Sequence, residues 1–597
     1  MPKITVKGTD RIIEYQPGRN LLDILVSENI FVDKPCNGRG SCGKCKVKLI
    51  SGELPKLSET ETKLLKKEDI NNNIRLSCLV EPEEDICISL LSKERKHEVL
   101  TTGYMPEFEF SPSISKKIFY IENPDLHNQI PYEDAVMTAA QTDDIDSAMI
   151  IKSPAVKGVA TGIFSGDRLV FVEEGNTLDK LYGMAIDIGT TTVVCSLIDI
   201  NNGKELGSSS MINAQKDYGM DVLTRITYEF ENPQDGIMKL QKSIVDSINN
   251  MICQVCYETG IDKQNIYDIC VAANCTMMHM LLGVDAVPIG KSPYAPTFVK
   301  TKDLYAHEIG LTAAPCARLY CLPAVSSYIG ADIVAGAYVC QLYKDLGNVL
   351  FIDIGTNGEI VLSVNGKLLC CSCAAGPALE GMNISCGMRA AHGAIEDVSI
   401  TDDGVKLKVI GDEEPVGICG SGILAVVTEV IKTGIVKKDG AFIKKESIDE
   451  MDYRYNMIRL DGKKREFILS EEPELLKITQ SDIRQVQLAK GAILSGFYAL
   501  LNKSGIDMDN LDKVMIAGQF GAHVSKDNLV GTGILPEAVK NKITYVGNSS
   551  KTGAYMALMS VENRKSMEDL ANHMDYMELS TTEGYERLFA ECLTFEN

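Results

Sequence analysis

Apolar and polar residues alternate with period two at the start of the chain. Ile4-Thr-Val6 and Ile12-Ile-Glu-Tyr15 flank a Gly8-Thr-Asp10 turn and predict an antiparallel strand pair. Leu21-Leu-Asp-Ile-Leu25 predicts a helix, residues 47–50 a strand ending at Ser51-Gly52, and residues 86–90 a last alternating strand. Residues 1–95 thus read as a small β-rich domain. Residues 96–115 lose all period and mix Gly103, Pro106 and Pro112 with charges, as a linker does. Residues 116–180 read as a small α/β middle domain without a chemical motif. From 181 to 597 the pattern changes again. Two apolar strands run into short polar turns at Asp187 and Asp353, each followed at once by a second apolar strand, and the later one turns again at the hairpin signal Asn365-Gly366. Ile237, Leu240, Ile244, Ile248 and Ile252 recur at helical spacing up to Gly260.

Composition narrows the class. A chain of 597 residues is too long for a single core, so about three or four domains are expected. With 45% apolar and 24% charged residues it has the composition of a soluble globular protein. The longest apolar run, residues 416–427, is too short and glycine-rich to span a bilayer, and the N-terminus lacks a signal-peptide apolar region. A cytoplasmic protein without a membrane partner is expected. The 19 cysteines, odd in number and scattered, fit a reducing compartment better than a disulfide framework. A net charge of −22 argues against nucleic acid as a partner.

The densest chemistry is Cys36-Asn-Gly-Arg-Gly-Ser-Cys42-Gly-Lys-Cys45, with a fourth thiol at Cys78. Three glycines in such a loop let the backbone wrap closely round a compact object. Zinc sites more often show two C-x2-C pairs. The three-plus-one spacing is that of a [2Fe–2S] ferredoxin, whose plant-type form is C-x4-C-x2-C…C; the five-residue first gap here resembles the adrenodoxin-like branch. Zinc and a set of buried free thiols are the alternatives. Lys34, Arg39, Lys44, Lys46 and Lys48 surround the motif against one acid, Asp33, and would favour an anionic reduced cluster and guide an acidic redox partner.

The second signal is a repeat. Met184-Ala-Ile-Asp187-Ile-Gly189-Thr190-Thr191-Thr192 recurs as Leu350-Phe-Ile-Asp353-Ile-Gly355-Thr356-Asn357-Gly358. Glycine lets backbone N–H groups approach phosphate oxygens, threonine adds donors, and an aspartate at the strand end can hold Mg²⁺ directly or through water. Two copies at domain-sized spacing indicate a duplicated nucleotide site. The turns resemble the two phosphate loops of the superfamily of actin, sugar kinases and heat-shock ATPases, which implies a duplicated ribonuclease-H-like (actin-like) ATPase domain. Val514-Met-Ile-Ala-Gly518-Gln-Phe-Gly521 is similar to its adenosine loop, with Gln519 where a paired glycine is often seen. No G-x-x-x-x-G-K-[ST] is present.

An α/β multidomain chain with a β-grasp ferredoxin first, then linker, middle domain and this ATPase, resembles the ATP-dependent reductive activators of corrinoid proteins. Asn274-Cys-Thr-Met-Met-His279, Pro293-Tyr-Ala-Pro296, Ser327-Tyr-Ile-Gly330-Ala-Asp332, Ala375-Gly-Pro-Ala-Leu-Glu-Gly381, Gly417-Ile-Cys-Gly420-Ser-Gly422, Ile478-Thr-Gln-Ser-Asp482 and Val546-Gly-Asn-Ser-Ser550 carry the same resemblance. It implies an ATP-dependent corrinoid reductase. A [2Fe–2S] cluster on Cys36, Cys42, Cys45 and Cys78 would pass one electron to Co(II) of a corrinoid protein in a methyltransferase system, restoring Co(I). ATP and Mg²⁺ would bind at the two turns, with Asp187 and Asp353 in the catalytic role. A low-potential donor such as a ferredoxin or flavodoxin is the expected electron source, and a homodimer is among the expected assemblies. An ATP-driven injector for another metalloenzyme, a redox-regulated small-molecule kinase and a chaperone-like scaffold are the competing readings.

Other residues have bland readings beside the functional ones. Cys253 and Cys256 on the helical stripe, and Cys370, Cys371 and Cys373, whose alternate faces would point them apart, read as core. Cys87 reads as core, and His279 and His392 as structural histidines. Residues 417–422 fit an anion nest at a helix start and close helix packing equally well. Asp332 and Glu359 are candidates for orienting water or Mg²⁺.

Overall fold

The structure, a computed structural model, describes residues 1–7, 11–28, 30, 32, 38, 40, 43–65, 67–91, 103–127, 129–147, 149, 153, 155–344, 347–462, 464–473, 475–518 and 524–595. The chain divides into two units, residues 1–96 with 215–225, and residues 97–214 with 226–597. Among the described residues no helix is long and apolar enough to cross a membrane.

The first unit is a five-stranded mixed sheet with Lys3–Val6 and Ile86–Leu90 paired in parallel at its centre. Ile12–Glu14 lies antiparallel beside Lys3–Val6, as the alternation predicts, while the turn at residues 8–10 lies outside the described residues. Lys46–Ser51 and Ile74–Leu76 complete the other side. Helix Leu21–Ser27 starts where the Asn20 side chain accepts the Asp23 N–H, and it buries Leu21, Leu22, Ile24 and Leu25. Ile4, Val6, Val47, Leu76 and Ile88 share the resulting core. This strand–helix order is the β-grasp of the sequence reading.

One buried polar group links helix Glu59–Leu64, whose capping box it completes with Ser58, to the strand that leads to Cys78. Glu61, 0% exposed, accepts two parallel bonds from Arg75 (Nε–Oε1 and Nη2–Oε2, both 2.9 Å), the Leu76 N–H (3.1 Å) and the Ser58 N–H (3.1 Å). Burial works to raise its pKa, but Arg75 and the Ser58 and Leu76 amides outweigh burial and leave it below the usual carboxylate range. The pair's stabilisation is therefore present above the ordinary glutamate pKa and lost as pH falls through the depressed one. Glu61→Ala strands a buried guanidinium on the strand that leads to Cys78. A loss of about 3–5 kcal/mol is expected in thermal or denaturant unfolding of this unit.

The second unit contains two six-stranded sheets built to one plan. In the first, the hairpin Tyr182–Ile188/Thr192–Asp199 is extended by antiparallel Lys204–Ile212, and Ile266–Ala273 and Arg318–Cys321 are added in parallel on the other side. In the second, the hairpin Asn348–Ile354/Gly358–Val364 is extended by antiparallel Lys367–Cys373, and Lys513–Ala517 and Ile543–Gly547 are added in parallel. Relative to its own hairpin these five strands follow one order in both sheets, so the sequence repeat is a structural duplication of the ribonuclease-H-like kind; the sixth strand differs, Lys302–Tyr305 lying antiparallel beyond Arg318–Cys321 in the first sheet and Met574–Tyr576 parallel beside Lys367–Cys373 in the second. The hairpin at Asn365-Gly366 forms as predicted, with both residues at positive φ. Helix Gly236–Thr259 carries the predicted stripe and ends at Gly260 in the left-handed region.

A smaller sheet of Ile114–Ile121, Gly158–Ser165 and Arg168–Glu174, with helix Tyr132–Ala140, forms its own core round Val136, Phe164 and Leu169. Of the stretch expected as linker, residues 96–102 lie outside the described residues. Tyr104 donates its N–H to Val546 O (2.8 Å) and Ser111 its N–H to Met559 O (2.9 Å), so residues 103–111 lie along the second sheet and the helix after it.

Glu229 is a second buried acid, 5% exposed, with both carboxyl oxygens accepting the Ala286 N–H at 3.2 and 3.3 Å. Burial, reinforced by Asp285, pushes its pKa up to about 7 from an ordinary 4.5. The folded chain then holds a proton that the unfolded chain has released, so stability falls as pH rises through that window. Glu229→Gln keeps an acceptor for Ala286 and removes the titration. It should match the wild type at pH 4 and exceed it by about 1–3 kcal/mol at pH 8 in denaturant unfolding.

Candidate redox and nucleotide sites

Two of the four predicted cluster thiols lie among the described residues, and Cys36 and Cys42 lie outside them, as do Lys34 and Arg39. Cys45 sits immediately before strand Lys46–Ser51, and Cys78 lies in a single turn, Ser77–Leu79, that follows Ile74–Leu76. Those strands pair antiparallel, and the Ser77 N–H and hydroxyl both bond Cys45 O (2.9 and 3.0 Å). The two sulfurs come to 3.3 Å, buried at 2% and 7% exposure. Two thiolates on one tetrahedral metal with bonds of about 2.3 Å stand roughly 3.8 Å apart. Opening the pair by about 0.5 Å would let both ligate one iron, so the donor set fits the group. The Cys78 side chain bonds to Cys45 Sγ and, against the opposing effect of burial, draws the Cys45 thiol down to about 6. Gly38, Gly40 and Gly43 all have φ between 66° and 80°, and a Cβ on Gly40 would come within 2.8 Å of Leu79 Cδ2. The basic collar is thinner than its sequence suggests: Lys44 is exposed, but Lys46 is paired with Asp69 at 2.8 Å.

In the second unit the paired hairpins place Asp187 and Asp353 at equivalent strand ends. Asp187 accepts bonds from Asn548 Nδ2 (2.9 Å) and Ser550 Oγ (2.7 Å). The turns are tight, with Gly189 N–H bonded to Thr192 O and Gly355 N–H to Asn357 O, both 2.9 Å. Asn274 donates to Thr190 Oγ1 at 3.0 Å and Asn213 to Gly189 O at 2.9 Å, fixing the first turn from two sides. Gly518 ends strand Lys513–Ala517 at φ 85°, and a Cβ there would lie 2.5 Å from Asp353 Oδ1. Only glycine admits this approach. Gly521 lies outside the described residues.

Asp332 and Glu359 converge on the same place. Burial, then Asp187, pushes Asp353 up to about 7; burial, then Asp353 and Asp187, does the same to Asp332. Glu359 is driven well above its ordinary value by burial and by Asp332 and Asp353, and Asp187 is also raised, chiefly by burial. Four acids that repel one another's charge form a cleft that a cation would relieve. Among the described residues no three His, Cys, Asp or Glu side chains are grouped to hold a metal by themselves. The Ser549 hydroxyl, in the segment that holds Asp187, is buried without a hydrogen-bond partner.

Sequence reasoning gave Glu380 no role, although it stands in the stretch of residues 375–381 already singled out. Glu380 accepts hydrogen bonds from Thr191 Oγ1 (2.9 Å) and Thr356 Oγ1 (2.5 Å), bridging the two turns. Asn548, Ser550 and Asn274 stand in stretches already singled out, but nothing local assigned them partners hundreds of residues away.

The remaining expectations divide. His279, 0% exposed, is satisfied by Cys275 O at Nδ1 (2.8 Å) and the Thr297 N–H at Nε2 (3.1 Å), and His392 pairs with Glu413. Cys256 is buried but Cys253 is exposed, so only one of that pair is core. Cys371 and Cys373 share one strand face, two residues apart, and both pack on Gly496, while Cys370 takes the other face; the expectation that all three diverge does not hold. Cys87 is half-buried, on the face of its strand away from the core. At residues 417–422 close packing accounts for the glycines: a Cβ on Gly422 would stand 2.1 Å from Ile395 O and one on Gly417 2.7 Å from Met388 Sδ.

Comparison with known proteins follows this architecture. Three family models match in succession: "2Fe-2S iron-sulfur cluster binding domain" over residues 4–83, "RACo middle region" over 182–345, and "C-terminal domain of RACo the ASKHA domain" over 347–597. The corrinoid activation enzyme RamQ of Eubacterium limosum is 30% identical over 94% of this chain and 93% of its own length. The chain belongs to the family of reductive activators of corrinoid proteins. A further relative is a Co(II) methylated-amine-specific corrinoid protein reductase of Methanosarcina barkeri, 24% identical over 68% of this chain and 76% of its own. The solved structure of a reductive activator for a corrinoid, iron-sulfur protein superposes with a TM-score of 0.72 at 32% identity, covering 100% of this chain and 98% of that one. Membership of the activator family fixes a [2Fe–2S] ferredoxin domain and an actin-like domain in one chain.

Proposed function

We propose that this protein is an ATP-dependent reductive activator of a corrinoid protein in a methyltransferase system. It takes one electron from a low-potential donor such as a ferredoxin or flavodoxin and delivers it to Co(II) of that partner, giving Co(I); one centre is oxidised and the other reduced, with no atom transferred. The relationship to RamQ along nearly the whole chain supports the corrinoid partner. The observation that carries the ATP requirement is the pair of matching hairpins whose Asp187 and Asp353 ends converge in one acidic cleft.

A [2Fe–2S] cluster, when bound, supplies a one-electron carrier. Cys36, Cys42, Cys45 and Cys78 would hold it; Cys45 and Cys78 bury their sulfurs away from water and would stand together as ligands, while Lys44 adds positive charge at the rim. At the other site Gly189, Thr190, Thr191 and Thr192 would receive one face of the ATP phosphates, and Gly355, Thr356, Asn357 and Gly358 the other. Asp187 and Asp353 would hold Mg²⁺, Asn548 and Ser550 would orient Asp187, and Gly518 would let the adenosine side approach. ATP can drive an unfavourable electron transfer only by binding two conformations unequally, and closure of the two hairpins on the phosphates provides that difference.

ATP hydrolysis by the purified protein should be stimulated by a Co(II) corrinoid protein and not by sugars. Sugar-dependent phosphoryl transfer, with no response to the corrinoid protein, would instead make this a redox-regulated kinase.

A further inference from the structure

Two of the threonines assigned to ATP phosphates are already engaged, and by a carboxylate. Glu380 places one carboxyl oxygen on Thr191 of the first turn (2.9 Å) and the other on Thr356 of the second (2.5 Å). Its Oε1 also lies 4.0 Å from the position of a Cβ on Gly355, so the carboxylate sits over the second turn where backbone and hydroxyl donors converge. Among the described residues the side-chain hydrogen-bond partners of Glu380 are these two hydroxyls, with no lysine or arginine in an ion pair with it. Both contacts are hydroxyl bonds to a carboxylate, the kind a phosphate oxygen also accepts.

Glu380 lies in a segment anchored by the buried Ala378 and Leu379. It ends the short turn Pro377–Glu380, between Gly376 at φ 76° and Gly381 at φ 80°. Beyond Gly381 the chain is tied on: the Met388 N–H donates to Ile418 O (2.9 Å), the Ile418 N–H to Cys386 O (2.8 Å), and the Ser385 N–H to Asp482 Oδ1 (2.9 Å). A displacement of Glu380 thus has a defined pivot on each side and a defined load downstream.

We infer that Glu380 stands in for the terminal phosphate of ATP in the nucleotide-free protein, latching the two turns together until the phosphate displaces it. This rests on the ATP reading of the two hairpins. A γ-phosphate bound by Thr191 and Thr356 takes both hydroxyls and repels the carboxylate, so the latch opens with ATP. ADP, one phosphate shorter, leaves Glu380 in place. The device makes ATP and ADP select different positions of residues 376–388, which is the unequal binding that coupling requires.

The test is equilibrium binding of ATP and of ADP, by calorimetry, to the full chain and to Glu380→Ala and Glu380→Gln. Removing the competing carboxylate should tighten ATP binding about tenfold in Glu380→Ala while ADP binding stays within about twofold. Glu380→Gln, which keeps the size and loses the charge, should shift in the same direction by less. Unchanged ADP affinity also reports that the variant site is folded. If Glu380→Ala binds ATP no tighter than the wild type, or, should that variant lose ADP binding, if Glu380→Gln binds ATP no tighter, the latch is wrong. Unchanged affinity with impaired hydrolysis would make Glu380 a group that acts on bound nucleotide, which also overturns the latch. A wild-type chain that binds neither nucleotide would overturn the ATP reading itself, a result distinct from a wild type that binds ATP with variants that bind it equally.

Discussion

Cys45→Ala should yield a chain without a cluster that still binds nucleotide. Its sulfur is one of two standing 3.3 Å apart in a buried position, and its backbone carbonyl ties the Cys78 turn to strand Lys46–Ser51. Removing one thiolate leaves three ligands for two irons that need four from the protein. Iron content should fall from about two per chain to near zero, the visible absorption of the oxidised cluster should vanish, and reductive activation should drop to background. ATP affinity should be unchanged, because the nucleotide residues belong to the other unit. A variant that retains full iron and full activity would show that Cys45 is not a ligand. Glu61→Ala offers a milder form of the same loss, since the buried Glu61–Arg75 pair holds the strand that leads to Cys78.

Asp187→Asn should produce the opposite phenotype, an intact cluster with no ATP-driven step. Asp187 accepts from Asn548 and Ser550, and both oxygens are used. An asparagine presents one oxygen and one NH₂, so only one of those donors keeps its acceptor and the negative charge that a cation needs is gone. ATP-dependent activation is expected to fall about a hundredfold, which corresponds to ~2.7 kcal/mol of transition-state stabilisation. The visible spectrum and iron content should match the wild type. Activation at the wild-type rate would remove Asp187 from the site and with it the role given to the first hairpin.

The two hairpins and the ferredoxin strands were legible because their information is local. Period-two alternation marks strands, and the Asp-Ile-Gly-Thr turns repeat in sequence. The helix through Leu240 and Ile248 was legible for the same reason, down to its end at Gly260. What could not be read is the set of contacts that folding imposes between distant residues. Asn548 and Ser550 meet Asp187 from the far end of the chain, and Glu380 crosses between the turns at Thr191 and Thr356. Glu61 looks like any surface glutamate on a helix until Arg75 is laid beside it. The cysteines of Lys367–Cys373 show a different limit: alternation separates Cys370 from its neighbour but places Cys371 and Cys373 together, which spacing alone would have given had the period been applied to all three. The acidic cleft illustrates both sides. Asp187, Asp353, Asp332 and Glu359 were each visible as candidates, while their mutual effect on one another's charge appears only once they share a site.

The central claim is that ATP and the iron–sulfur unit act together on protein-bound cobalt. It is tested most directly by mixing the purified protein with a chemical reductant, Mg-ATP and its cognate Co(II) corrinoid protein, and following the absorption band of Co(I). The account predicts that the band grows only when ATP is present, and that it is absent with Cys45→Ala and strongly slowed with Asp187→Asn. A Co(I) band of equal size and rate without ATP, or none with every component present, would contradict it.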